Sequence, residues 1–171
     1  MTRKPDLPAT AFAVAALAAA LLLAAPPASA ESYRGQVVSV QDGDTITVLT
    51  SDYERIRVRF YGIDCPEKNQ AHGPEARDLL VGLVDGRTVD IEVLDIDRYS
   101  RYVALVRLDG TLINQRMVES GYAWVYEQYC KATDVCAALR QAEASARNLR
   151  AGLWSDPDPV APWDHRRSRR K

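Results

Sequence analysis

The stretch YRGQVVSVQDGDTITVL, residues 33–49, sets the fold prediction. Apolar and polar residues alternate in both of its halves, and an Asp-Gly turn separates the halves. Alternation with a period of two predicts half-buried strands, and Asp-Gly between two β-rich runs predicts a hairpin. A third run, RIRVRFYGI at residues 55–63, places Ile56, Val58 and Phe60 on one face and arginines on the other. Three consecutive strands are therefore expected before any helix.

The following segments predict helices and two further strands. The run at residues 73–84 carries a proline near its start and a leucine-rich face, which is typical of a short helix. Residues 88–97 and 101–108 alternate again and predict strands four and five. Residues 111–121 and 134–152 each end in glycine, as helices often do. This order predicts an α+β protein with a five-stranded Greek-key β-barrel and about three packed α-helices.

The first 30 residues are predicted to be a signal peptide. A basic start, an apolar run at residues 9–25 and the sequence ASA at residues 28–30 match the pattern that signal peptidase cleaves. The mature chain would then begin at Glu31. An uncleaved anchor helix is the alternative, because the run approaches the roughly 17 apolar residues that can span a bilayer. Both interpretations imply export, so the expected location is secreted or periplasmic.

The exported part divides into one domain and a tail. Residues 31–156 are predicted to form the domain, and residues 157–171 are a Pro-rich and basic tail that is expected to be extended or disordered. Residues 31–165 hold 15 basic and 22 acidic side chains, a net charge of about −7, whereas residues 166–171 add five positive charges. An acidic body repels polyanions, so any nucleic-acid site must be a local group of arginines or a metal. The tail could contact anionic surfaces weakly.

The chain has three cysteines, so at least one is unpaired within it. A disulfide between Cys130 and Cys136 is favoured, because CKATDVC offers Thr133 or Asp134 as a helix N-cap and the bridge would fix the chain to the first helical turn. Closing so small a loop contributes roughly 2 kcal/mol. The alternative, a disulfide from Cys65 to either of the other two, would leave the nearer pair unbridged.

Four short motifs follow one another along the chain: DGDT at residues 42–45, VRFYGIDCPE at 58–67, GPEA at 73–76 and DRYSR at 97–101. Each motif alone is a weak signal. In this order and spacing they resemble the staphylococcal nuclease, or thermonuclease-like, family over nearly all of residues 33–154. The resemblance implies an OB-type five-stranded barrel with helices packed on it.

The resemblance also implies a calcium site. Asp44 and Asp64 match the family's two metal-binding aspartates, and Cys65 matches the residue that lends its backbone carbonyl. Calcium prefers about six to eight oxygen ligands, so two carboxylates, a carbonyl and waters form a suitable set without histidine or thiolate. Ca²⁺ is therefore the expected cofactor.

Catalytic roles are implied for three further residues. Glu67 matches the glutamate that orients or deprotonates the attacking water, and Arg59 and Arg101 match the two arginines that clamp the phosphate. Guanidinium forks and a metal stabilise the charge that grows on the phosphate in the transition state. Tyr99 matches a family tyrosine and is expected to contact substrate.

The sequence departs from the family pattern near the arginine turn. Ser100 stands where the family usually has glycine, which would strain the turn if it requires a positive φ. The loop at residues 68–72 is short, which would alter substrate access. Tyr126 and Tyr129 lie near positions where base-contacting tyrosines occur, but core or rim positions are the better expectation for them.

The chain has only two histidines, which disfavours a mechanism that uses a histidine pair. A ribonuclease that uses two histidines as acid and base would have only His72 and His165 to use, and His165 lies in the tail. His72 is expected to be an exposed loop residue, because no second histidine lies near it in sequence to form a ligand pair.

The sequence thus predicts an exported, calcium-dependent nuclease that hydrolyses DNA and RNA with little base specificity and leaves 3′-phosphate ends. Binding-only copies of such a domain would have no use for Asp44, Asp64 and Glu67, so their presence favours an enzyme. The alternative function is a non-catalytic OB-fold module of the envelope that binds nucleic acid or a protein partner. A structural envelope protein, the third possibility, predicts no response to metal. A monomer with no stable protein partner is expected.

Overall fold

The computed structural model describes residues 31–169. The predicted signal peptide and the last two residues, Arg170 and Lys171, lie outside this range. Within it, no helix has the length and apolar character needed to cross a membrane.

Eight strands and four α-helices make up the described chain. In chain order the strands are β1 (Ser32–Asp42), β2 (Thr45–Thr50), β3 (Arg55–Phe60), β4 (Ile63–Asp64), β5 (Thr88–Ile96), β6 (Tyr102–Leu108), β7 (Thr111–Leu112) and β8 (Trp124–Val125). The helices are α1 (Gly73–Val84), α2 (Ile113–Glu119), α3 (Thr133–Asn148) and α4 (Pro162–Ser168), with a 3₁₀ turn over Gly152–Ser155 before α4.

Five of the strands close into a barrel. Strands β3, β2, β1, β5 and β6 are neighbours in that order, and each of these pairs is antiparallel. A parallel pairing of β3 with β6, in which Arg59 lies opposite Val103, joins the two ends. The OB-type α+β fold is therefore confirmed, with four helices rather than about three.

The barrel interior is filled by the faces that the alternation predicted. Ile46 and Val48 of β2, and Val58 and Phe60 of β3, are at most 1% exposed. Complete burial of such a side chain contributes about 1.5–3 kcal/mol. The arginines of β3 lie on the opposite face, where Arg55 and Arg57 are exposed and Arg59 is partly buried.

Two turns bring acidic residues to the same end of the barrel. Asp42 pairs with Thr45, so Gly43 and Asp44 form the tip of the β1–β2 hairpin. A Cβ atom at Gly43 would lie 2.8–2.9 Å from side-chain atoms of Cys65 and Ala76, so only glycine allows the tip to approach α1 this closely. The hairpin tip therefore lies directly against the segment that follows β4.

The C-terminal segment differs from the sequence-based expectation. Residues 157–171 were expected to be extended or disordered, but residues 162–168 form α4. Pro162 occupies the first helical turn, where its missing N–H is not needed. Trp163 and Arg166 of the helix contact residues far earlier in the chain, which composition alone does not reveal, so the prediction was wrong.

The disulfide between Cys130 and Cys136 is present, and Cys65 is free and buried. The predicted N-cap was wrong: Ala132 is the N-cap of α3, with no side-chain cap. The hydroxyl of Tyr61 accepts the backbone N–H groups of Lys131 and Ala132 at 2.6 and 2.8 Å. A tyrosine from the barrel therefore binds the segment that enters α3.

Candidate functional site

Asp44 is a buried carboxylate whose surroundings fix its orientation. Its side chain is 7% exposed. Oδ2 accepts the backbone N–H of Cys65 at 2.7 Å, and Oδ1 accepts the hydroxyl of Thr45 at 3.2 Å. Burial raises the pKa of the Asp44 carboxyl to about 8, although nearby Arg59 opposes the rise. Because a nearby positive charge stabilises the ionised form of a buried carboxyl, the site favours binding of a cation.

Asp64, in β4, lies across Arg59 from Asp44. Its side chain is 2% exposed, and Oδ1 lies 2.8 Å from Nη2 of Arg59. Nη1 of the same guanidinium lies 2.7 Å from Oδ2 of Asp44, as an ion pair without hydrogen-bond alignment. One guanidinium thus bridges the two carboxylates, which face a common positive charge.

Cys65 contributes its backbone and not a reactive thiol. Its N–H binds Asp44, as described above, and its side chain is 4% exposed. Burial, reinforced by the negative charge of Asp44, raises the pKa of the Cys65 thiol well above its usual value. A thiolate nucleophile is therefore disfavoured at this position.

Glu67 is held by an arginine of the segment that the sequence predicted to be an extended or disordered tail. Nη1 of Arg166 lies 2.7 Å from Oε1 of Glu67, and Nη2 lies 2.7 Å from Oδ2 of Asp64. The available signal was the spacing of Trp163 and Arg166, which are three residues apart after a proline and share one face of a short helix.

Arg101 directly precedes β6, and its side chain pairs with Asp97 and not with Asp44 or Asp64. Its Nε and Nη2 atoms lie 2.7 Å from Oδ2 of Asp97. Oδ1 of Asp97 accepts the backbone N–H groups of Tyr99 and Arg101 at 2.9 and 3.0 Å, which closes the turn. The ring of Tyr99 is 56% exposed and lies beneath the Arg101 guanidinium, 5.5 Å from its centroid. This pair forms a second group at the edge of the barrel.

Ser100 occupies the strained position that the sequence analysis anticipated, with φ of 58°. A non-glycine residue in this left-handed region costs about 1–2 kcal/mol of stability. Glycine avoids that cost, but the greater freedom of glycine in the unfolded chain offsets part of the gain. We therefore expect Ser100→Gly to raise the free energy of unfolding by up to about 1 kcal/mol. Urea unfolding of the two proteins measures the difference, and a less stable variant would contradict the strain argument.

The tyrosines and His72 lie at the rim of the fold. Tyr126 is partly buried, and Tyr129 is 57% exposed. His72 precedes α1 and was expected to be exposed, but its side chain is only 22% exposed and its Nε2 lies 3.0 Å from Oδ2 of Asp156. That carboxylate is 84 residues away in sequence, so the local pattern could not reveal it.

The donor chemistry at Asp44 and Asp64 fits a hard divalent cation. Both groups offer carboxylate oxygens that already share one positive charge, and the chain of Cys65 lies beside them. Within residues 31–169 no group of three or more His, Cys, Asp or Glu side chains is arranged to hold a metal. A cation here would therefore need carbonyl and water ligands as well, which suits calcium better than zinc.

Several known proteins are similar in sequence to this chain over most of its length. Residues 57–156 match the family described as staphylococcal nuclease homologue. Protein ParB of Escherichia coli is 44% identical over 162 residues, which cover 90% of this chain and 89% of that protein. Micrococcal nuclease of Shigella flexneri is 41% identical over 163 residues, 90% of this chain and 91% of that protein.

An uncharacterized endonuclease of Escherichia coli O157:H7 is 45% identical over 138 residues, 80% of this chain and 87% of that protein. The barrel and the buried carboxylates at its end agree with these matches, and the chain belongs to the staphylococcal nuclease family of metal-dependent nucleases.

Proposed function

We propose that the protein is an exported, calcium-dependent phosphodiesterase that hydrolyses DNA and RNA with little base specificity and leaves 3′-phosphate ends. The observation that carries this proposal is the pair of buried carboxylates, Asp44 and Asp64, bridged by Arg59 with Glu67 alongside. Buried acids that share a positive charge at the rim of a barrel mark a candidate functional site. The predicted signal peptide supports export to the periplasm or the medium.

In the proposed mechanism, Asp44, Asp64 and the backbone carbonyl of Cys65 hold Ca²⁺. When bound, Ca²⁺ supplies stabilisation of negative charge on the scissile phosphate. The hairpin tip and β4 already fix the backbone at the two carboxylates, so cation binding would require movement of guanidinium side chains and not of the strands. This preorganisation is the contribution of the fold.

The remaining residues act on the phosphate and on water. Arg59 turns its guanidinium from the carboxylates to the phosphate, and Arg101, which directly precedes the neighbouring strand β6, contacts the same phosphate. Glu67 orients the attacking water and accepts its proton. Phosphoryl transfer depends mainly on positioning and electrostatics, so this small set of groups is sufficient.

The test uses purified residues 31–171 with single-stranded DNA, duplex DNA and RNA, each with calcium and with chelator. Cleavage of all three substrates is expected only with calcium, and phosphatase treatment should remove a terminal phosphate from the 3′ ends. Binding without cleavage would support the non-catalytic module instead. A fusion of residues 1–30 to a reporter that is active only outside the cytoplasm tests export.

The proposed role of Arg59 predicts a specific effect of Arg59→Lys. A lysine is a point charge and cannot form the two-pronged contact, so we expect kcat to fall roughly 10²-fold with a much smaller change in substrate affinity. Arg55→Lys, on an exposed position of the same strand, is the matched control. Equal losses of kcat and affinity would indicate that Arg59 only anchors the phosphate.

Cys65→Ser is expected to retain most calcium-dependent activity, because the proposed contribution of this residue is its backbone carbonyl. Circular dichroism should first confirm the fold, since the side chain is buried, and Cys65→Ala provides a second variant without a hydroxyl. A folded Cys65→Ser protein without activity would return the thiol to the mechanism.

A further inference from the structure

We propose that Arg166 of α4 is an internal competitor of the metal. Its guanidinium joins Asp64 to Glu67, and a divalent cation that binds Asp64 must displace it from that carboxylate. The same displacement releases Glu67, so metal binding and release of the proposed base are coupled. This inference rests on the proposed function, because it takes Asp64 as a metal ligand.

The contacts of Arg166 occupy the oxygens that a metal would need. Nη2 lies 2.7 Å from Oδ2 of Asp64, and Nη1 donates to Oδ1 of the same carboxylate at 3.3 Å. Oδ1 also lies 2.8 Å from Arg59. Both oxygens of Asp64 are therefore engaged by guanidinium groups. Arg59 contacts Oδ1 alone, whereas Arg166 contacts both oxygens, so a cation can take this carboxylate only if Arg166 withdraws, even after Arg59 has turned to the phosphate.

The position of Arg166 is set by packing of its helix. The ring of Trp163 stacks on Tyr126, with centroids 5.1 Å apart and planes at 11°, and meets Trp124 edge-on at 5.7 Å. Before the helix, the side chain of Gln70 donates to the carbonyl of Val160 at 2.6 Å. These contacts hold α4 over the carboxylates.

Arg167, the next residue, provides an internal comparison. Its side chain is 75% exposed and contacts only Asp164, three residues earlier in the same helix. The Arg166 side chain is 36% exposed and contacts acids about 100 residues away in sequence. Only one of two adjacent arginines is therefore in the carboxylate site.

The energetic consequence follows from the burial of Asp64. Charge-assisted hydrogen bonds to a side chain that is 2% exposed are stronger than exposed ion pairs. A cation that takes Asp64 must offset the loss of these bonds, so its measured affinity falls below that of the open site. Removing the competitor should therefore strengthen metal binding.

The experiment measures Ca²⁺ affinity by calorimetry without nucleic acid. We expect Arg166→Gln to bind Ca²⁺ about tenfold more tightly than the unaltered protein, a difference of about 1.4 kcal/mol. Arg167→Gln removes the same charge one residue away and should leave the affinity within about twofold. Trp163→Ala retains every charge but removes the stacking on Tyr126, so it should also tighten binding.

The outcomes separate this inference from the proposed metal site. Equal Ca²⁺ affinities for Arg166→Gln and Arg167→Gln would overturn the competition while leaving the metal site intact. Weaker binding by Arg166→Gln would show that the arginine organises the site rather than competing for it. Unchanged affinity of a folded Trp163→Ala protein would contradict the role of helix packing. Absence of Ca²⁺ binding in every protein would contradict both proposals.

Discussion

Asp44→Asn is expected to abolish measurable Ca²⁺ binding and to lower calcium-dependent cleavage by orders of magnitude. The change removes one of the two carboxylates proposed to hold the cation. Stabilisation of the phosphate charge by a metal is worth several kcal/mol. Each 1.36 kcal/mol of lost stabilisation lowers the rate by a factor of about ten. Calorimetry and a cleavage assay at saturating substrate measure the two effects separately.

The Asn variant should fold, because the neutral amide keeps an oxygen for the backbone N–H of Cys65 and burial already disfavours the charged carboxylate. Asp90→Asn is the matched control: Asp90 lies on β5, half exposed and paired with Arg34 on the surface. Loss of cleavage in both variants would indicate a general effect of charge. Unchanged Ca²⁺ affinity in Asp44→Asn would place the metal elsewhere.

The barrel could be predicted because the sequence patterns that indicate its strands and turn are local. Strands β1, β2 and β3 show a period of two in the sequence, and the Asp-Gly pair marks the turn between the first two. The candidate carboxylates follow from that prediction, since Asp44 sits in the turn and Asp64 follows the third strand.

Helix α4 could not be predicted from the sequence because tertiary contacts stabilise it. A seven-residue helix is too short to persist alone, and it depends on the stacking of Trp163 against Tyr126 and on the ion pairs of Arg166. Those partners lie 37 to 102 residues earlier in the chain, so no window of local sequence contains them. A Pro-rich approach and a run of basic residues pointed instead to disorder.

The cap of α3 shows the same limit, whereas Arg101 pairs with a residue of its own motif. Thr133 has a favourable N-cap side chain, but Tyr61 binds the preceding N–H groups, and the helix begins at Thr133 itself, one residue earlier than a Thr133 cap would set it. Arg101 matches the family motif, but its conformation depends on Asp97, which closes the same turn. A motif identifies the residue types, while the side-chain partner depends on packing.

Glu67→Gln is expected to lower kcat by about 10²–10⁴-fold, the usual contribution of a positioned general base. The amide retains the shape of the side chain and can still accept a hydrogen bond from Arg166, so the loop should keep its conformation. Glu67 is not among the proposed metal ligands, so Ca²⁺ affinity should not be lost. Single-turnover cleavage at saturating calcium isolates the effect on chemistry from effects on binding.

Glu75→Gln, an exposed position in the first turn of α1, controls for the same chemical change eight residues further along the chain. A Glu67→Gln protein that cleaves at the normal rate would show that another group accepts the proton from water. Loss of cleavage together with loss of Ca²⁺ binding would instead make Glu67 a metal ligand. In that case Arg166, which binds both Glu67 and Asp64, would be competing for two ligands of one cation rather than for one ligand and the base.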